Sequence, residues 1–148
     1  MAKAVHSLSE IAVRCEQGEP LESGLAQWLG GALRRFLTRE ALTLEEAFGL
    51  KVSRGGAPWW LVESMRVRDT ALRDLAARFF PDQSTSARAN LVYELSLRYA
   101  ETAWHHDAGE APMPSGYVGS PQEYLWRAFK SGAPIPLEKR QLRTILSH

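Results

Sequence analysis

Residues 55–81 read "GGAPWWLVESMRVRDTALRDLAARFFP". Leu61, Met65, Leu72, Leu75 and Phe79 recur there at helical spacing, and Pro81 closes the run. Gly55 and Gly56 allow backbone angles that other residues avoid, and Pro58 suits the first position of a helix. The segment "GGAPWW" therefore reads as a loop-to-helix junction ahead of the longest helix, in preference to a ligand platform. Adjacent helical positions point about 100° apart, so one of Trp59 and Trp60 is expected to be fully buried and the other not. Arg68 falls inside the apolar stripe, where a guanidinium needs a carboxylate or several carbonyl partners. Arg66, Asp69 and Arg73 are expected to form an ion-pair ladder on the neighbouring face.

The rest of the chain repeats this pattern of helix and stop. Ser7 with Glu10 has the spacing of a capping box, and Gly18 stops that helix. Pro20 suits the first turn of a second helix, whose stripe is Leu21, Leu25, Trp28, Leu29, Leu33, Phe36 and Leu37. Thr43 with Glu46 opens a short helix that ends at Gly49. Ser84 caps a helix with two apolar stripes: Leu91, Leu95 and Thr102 on one, and Tyr93, Leu97, Ala100 and Trp104 on the other. A helix apolar on more than one side is packed on more than one side, which places this one centrally. Ser120, Pro121 and Glu123 start a further helix that stops at Gly132, and a last helix runs from about Leu137 to Leu146. No segment alternates with period two. The expected fold is all-α: a single compact irregular or orthogonal bundle of five to seven helices over residues 1–148, with a long loop at about 105–119.

Composition narrows the function. The 148 residues suffice for one domain with a core. There are 45% hydrophobic and 24% charged residues, ordinary for a globular chain. The N-terminus lacks the apolar core of a secretory signal, and no apolar run approaches the ~20 residues that span a bilayer. The single cysteine, Cys15, can form neither an internal disulfide nor a cysteine-based zinc site, and reads as a small buried hydrophobe. A cytoplasmic location without a membrane partner is the expectation. Arginine outnumbers lysine 14 to 4, and with frequent alanine this is the composition of a GC-rich bacterial coding sequence.

No nucleophile elbow, phosphate loop or dinucleotide fingerprint occurs, so no enzyme and no cofactor are expected. In "HHDAGE", His105–Glu110, two adjacent histidines diverge, which argues against a metal site and for a solvated helix end. The net charge of +1 hides basic segments at 34–78 and 120–148 and acidic ones between and before them. The candidate binding residues are Arg34, Arg35, Arg54, Arg66, Arg73, Trp126, Arg127, Lys130, Lys139, Arg140 and Arg143. They combine cations that could meet phosphates with a tryptophan of the type that serves in protein hot spots or base stacking.

Thr43–Gly55, "TLEEAFGLKVSRG", resembles the opening of a helix-turn-helix unit: a capped short helix, a glycine turn, then Val52, Ser53 and Arg54. Gly55, Gly56 and Pro58 interrupt it where the recognition helix would run. The reading is a small non-catalytic binding or regulatory protein that contacts DNA or RNA through basic helix faces. The alternative is a protein-interaction module or inhibitor that uses exposed aromatics and arginines. Sequence leaves the partner class and the oligomeric state open.

Overall fold

The structure, a computed structural model, describes residues 1–148 and is all-helical, with no strand. Eight α-helices follow in order: α1 Ala2–Gln17, α2 Ser23–Leu37, α3 Leu44–Ala47, α4 Trp59–Phe79, α5 Thr85–Glu101, α6 Trp104–Asp107, α7 Pro121–Lys130 and α8 Lys139–Leu146. One 3-10 turn, Ser115–Tyr117, lies between α6 and α7. The eighth helix exceeds the expected five to seven. It is α6, which the sequence reading merged into the end of α5. Thr102 leaves the helical region and its hydroxyl bonds back to the Arg98 carbonyl at 2.6 Å, so the chain restarts at Trp104 on a new axis.

The chain divides into two compact units, Met1–Glu63 and Ser64–His148. In the first, α1 and α2 bury little: Val5 and Ile11 from α1, and Ala32 alone from α2. Gly18 ends α1 in the left-handed conformation and returns its N–H to the Arg14 and Cys15 carbonyls. Ser7, however, lies inside α1 and caps nothing, while Glu10 pairs with Arg14 one turn on. Pro20 lies outside α2, which starts at Ser23. Cys15 is exposed, against the buried reading: it stands in the last turn of α1, one turn past Ile11, the last buried residue of that helix.

α3 forms as its cap predicts: Thr43 Oγ1 accepts the Glu46 N–H at 3.1 Å. Glu46 in turn accepts the Leu42 N–H, which with Lys51 holds its carboxyl below the usual carboxylate range. After α3 the chain loops to Pro58, so no recognition helix follows and the helix-turn-helix likeness ends there. Gly55 takes φ 89°, and a Cβ on Gly56 would stand 2.3 Å from Val52 Cγ1, so this turn needs both glycines. Neither tryptophan is core. Trp59 is partly buried and donates its indole N–H to Glu45 at 3.0 Å, while Trp60 is 57% exposed.

The second unit holds the core. Leu72 and Leu75 of α4, Ala89 and Val92 of α5, Leu125 and Ala128 of α7 and Leu142 of α8 are buried together. α5 packs against α6, α7 and α8. Its most buried line is Ala89, Val92, Ser96 and Tyr99; of the predicted stripes, Leu95 on one and Tyr93, Ala100 and Trp104 on the other pack part-buried against the core, while Leu91 and Leu97 are exposed. Leu142 and Ile145 of α8 are buried and Leu146 packs against the core, as the periodicity indicates.

Arg68 is buried at 4% exposure. Its Nε donates to Asp69 Oδ1 at 2.8 Å and its guanidinium also reaches the Pro134 carbonyl at 2.5 Å. This meets the requirement read from the stripe. Asp69 thus serves Arg68, its chain neighbour, and Arg73 reaches Thr70 at 3.5 Å. Loss of Asp69 strands a charge that is almost fully buried, whereas loss of Arg68 leaves a carboxylate that is a quarter exposed and that water can reach. Asp69→Ala is expected to destabilise the protein by about 3 kcal/mol or more, and Arg68→Met by less. Urea unfolding of the two variants checks the order.

Candidate binding surfaces

The sequence-predicted residues fall on three surfaces. Arg66, Trp126, Arg127 and Lys130 line one groove of the second unit, about 380 Å³, between α4 and α7. Val67, Thr70 and Asp74 of α4 complete its opposite wall. Arg73 is not among the lining residues. Lys139, Arg140 and Arg143 stand exposed along α8, where Lys139 faces Glu94 at 3.9 Å and lies over the Tyr93 ring. Arg34, Arg35 and Arg54 belong to the first unit and are exposed, with the Arg35 guanidinium bonded to the Ala47 carbonyl.

The α7 wall is fixed by a buried carboxylate that the sequence reading passed over. Asp107 is 4% exposed and accepts two phenol hydroxyls: Tyr99 at 2.7 Å from α5 and Tyr117 at 2.8 Å from the 3-10 turn. The histidines beside it, His105 and His106, are exposed, and His106 faces Glu110 at 3.8 Å. "HHDAGE" is thus not wholly a solvated helix end: its third residue is interior. From Tyr117 the order passes to α7. The Tyr117 carbonyl accepts the Ser120 hydroxyl, and Glu123 accepts the Gly119 N–H at 2.6 Å. Lys130, at the other end of α7, donates to the Ala108 carbonyl at 3.0 Å and lies over the rings of Trp104 and Trp126.

These contacts change what the groove offers. Arg127 pairs with Glu123 and covers Tyr124, Lys130 is held by a carbonyl and two indoles, and Asp74 adds a negative charge. The positive field is therefore partly neutralised from within. The Trp126 indole N–H is buried without a hydrogen-bond acceptor.

The first unit presents a different surface. Along α2, Leu33 is 40% and Leu37 78% exposed, and just beyond the helix Leu42 is 73% and Leu44 46% exposed. Another flank of α2 opens on a cleft of about 640 Å³ whose apolar lining includes Leu25, Trp28 and Phe48. The Trp28 and Phe48 rings meet at 5.4 Å. Leu33 and Leu37 belong to the stripe read from the spacing of α2; Leu42 and Leu44 lie outside it.

Comparison with known protein families, curated proteins and solved structures finds no match. No helix is long and apolar enough to cross a membrane.

Burial, and after it the bond to Asp107, raises the phenol pKa of both Tyr99 and Tyr117 above the ordinary value of about 10. An acid whose pKa rises on folding contributes stability that is complete below its unfolded-state value and is lost as pH climbs past it. Stability should therefore fall above pH ~10, where the unfolded chain releases phenol protons that the folded chain retains. Tyr117→Phe should cost about 1–3 kcal/mol at neutral pH and make the alkaline fall shallower. Urea unfolding between neutral and strongly alkaline pH measures both.

Proposed function

We propose that this is a non-catalytic binding protein whose target is another protein, gripped by α2 and the segment that follows it. The observation that carries the reading is a set of exposed leucines: Leu33 and Leu37 on a 15-residue helix that buries only Ala32, and Leu42 and Leu44 just beyond it. A helix with an apolar stripe gains most of its stability by covering that stripe, and contiguous exposed apolar side chains mark interaction surfaces. Arg34 and Arg35 stand beside the leucines, so the matching surface is apolar with carboxylates at its margin.

A second reading, nucleic-acid binding, is favoured by the meeting of Arg66, Arg127 and Lys130 with Trp126 in the α4–α7 groove. The internal pairing of Arg127 and Lys130 weakens it, because backbone tracking depends on cations free to neutralise phosphates. A flat anisotropy trace with duplex and single-stranded oligonucleotides at ~50 mM salt would remove this reading.

The test of the leading reading is affinity capture from nuclease-treated host lysate by the full chain and by the Leu37→Gln/Leu42→Gln variant. Both leucines are exposed, so the variant should unfold within about 0.5 kcal/mol of the parent. Captured protein should persist after nuclease and fall at least roughly tenfold with the variant. Capture that vanishes with nuclease, or that the variant leaves unchanged, would overturn the reading. Light scattering during size exclusion would reveal whether the partner is a second copy.

A further inference from the structure

The turn that ends α2 holds the only non-glycine residue of the chain in the left-handed region. Arg39 takes φ 65°, and the five other positive-φ positions, Gly18, Gly49, Gly55, Gly119 and Gly132, are all glycine. A Cβ is crowded by the backbone in that conformation, which glycine adopts freely. The fold uses the turn itself. The Arg39 N–H returns to the Phe36 carbonyl at 3.2 Å and the Ala41 N–H to the Arg35 carbonyl at 3.0 Å, and Ala41 is buried. The fold does not use the arginine side chain. It is exposed, and its guanidinium makes no hydrogen bond or ion pair within the chain. A strained residue whose side chain does nothing for the fold points to a use outside it.

Arg39 stands among the exposed leucines, two residues past Leu37 and three before Leu42. Arg34 precedes Leu37 by three residues on α2, which makes the two surface neighbours, and its guanidinium is likewise exposed and unbonded. The acidic side chains of the same stretch are already engaged. Glu40 accepts the Thr38 hydroxyl at 2.9 Å, Glu45 the Trp59 indole N–H at 3.0 Å and Glu46 the Leu42 N–H at 3.1 Å. What the surface has left to offer a partner is guanidinium N–H donors, which take carboxylates.

We infer that Arg39 is a specificity-determining residue of the α2 surface, and that the occupant is an amphipathic helix of another protein, with apolar side chains on the leucines and carboxylates on Arg39 and Arg34. The inference rests on the protein-binding reading of this surface and adds what selects the partner. Leu33 and Leu37, four residues apart, form a ridge of the kind against which a second helix packs. The arginine fork meets a carboxylate in two parallel bonds, so it rewards an acidic margin over a neutral one. A second copy of this chain fits less well, because it brings the same unpaired guanidiniums to the interface.

The probes are three synthetic amphipathic helical peptides with one shared leucine stripe, bordered by glutamate, glutamine or lysine, titrated with the full chain by fluorescence anisotropy. The glutamate peptide should saturate, the glutamine peptide should bind roughly tenfold more weakly, and the lysine peptide should not bind. Arg39→Ala should weaken the glutamate peptide by roughly 5–10-fold and leave the glutamine peptide unchanged. Arg39→Gly should weaken it equally while raising the melting temperature by about 2–4 °C, because glycine relieves the left-handed residue and alanine does not. A role in the fold alone would move stability without moving the ratio of the two peptides. The inference is overturned by a glutamate peptide that does not bind, by a glutamate-to-glutamine ratio that Arg39→Ala leaves unchanged, or by a lower melting temperature in Arg39→Gly. If Leu37→Gln/Leu42→Gln removes both peptides while Arg39→Ala changes neither, the reading of α2 stands and this inference falls. If the leucine variant leaves the glutamate peptide bound, the reading beneath it falls as well. Self-association that the leucine variant abolishes would place a second copy on the surface and overturn the inference too.

Discussion

The second unit depends on one buried carboxylate. Asp107 lies where α6 turns the chain inward, and its two partners are phenols from elements on either side of the loop. A carboxylate is costly to bury unless hydrogen bonds replace its water. Here Tyr99 supplies one bond from the core helix α5 and Tyr117 the other from the far end of the connection. The two ends of a Gly- and Pro-rich segment of about 15 residues, long for a compact domain, are thereby tied to the core. Everything downstream inherits that tie. Tyr117 receives the Ser120 hydroxyl, Ser120 precedes the first residue of α7, and α7 carries the tryptophan and cations of the groove.

Of the three buried ionic groups in this unit, Asp107, Arg68 and Glu123, the first two serve it in different ways. Asp107 orders a connection and takes neutral donors. Arg68 lies within α4 and takes a neighbouring carboxylate plus the Pro134 carbonyl, which lies in the strap between α7 and α8. The arginine thereby links the longest helix to a segment that has no helical hydrogen bonds of its own. That same strap walls a small cavity over Ser96, so its placement is set from below by Arg68 and from its own side by buried Ala133 and Pro136. Apolar packing alone would leave the strap free to slide. The directed bonds from a buried guanidinium give it one position.

Much of the helical order was legible in the sequence because capping is local. Thr43 and Ser84 each accept a backbone N–H from three residues on, Gly18, Gly49 and Gly132 end helices with positive φ, and Pro81 closes α4. The demand of Arg68 for partners was legible because its place in the stripe needs only spacing. What was not legible depends on distant chain. Ser7 and Glu10 have capping-box spacing yet sit inside α1, since nothing local forbids the helix from starting earlier. The inward face of α5 could not be chosen from spacing, because apolar residues stand on several of its sides: Val92 and Tyr99 are buried while Tyr93, Leu95 and Ala100 pack part-buried against the core. Asp107 gave no signal beside two histidines, as its partners are 8 and 10 residues away across a turn. Of the candidate residues, periodicity marked the cations of 66, 127 and 130 but could not show that two of them are spent on internal contacts.

That expenditure bears on which surface dominates recognition. An exposed ion pair is worth about 0–1 kcal/mol, whereas covering a leucine side chain brings about 1.5–3 kcal/mol. In the groove, Arg127 and Lys130 already hold intramolecular partners, and a ligand gains only the difference between old contacts and new. At the end of α2 and just beyond it, Leu37 and Leu42 are more than two-thirds open to water, so a partner gains nearly the whole of their burial. Arginine beside them adds direction, because its planar fork meets carboxylates in two parallel bonds. These terms are why we propose an apolar, carboxylate-edged protein surface, in place of a phosphate backbone, as the target. The groove's cations then act chiefly within the fold, holding α7 to α6 through Lys130 and Ala108.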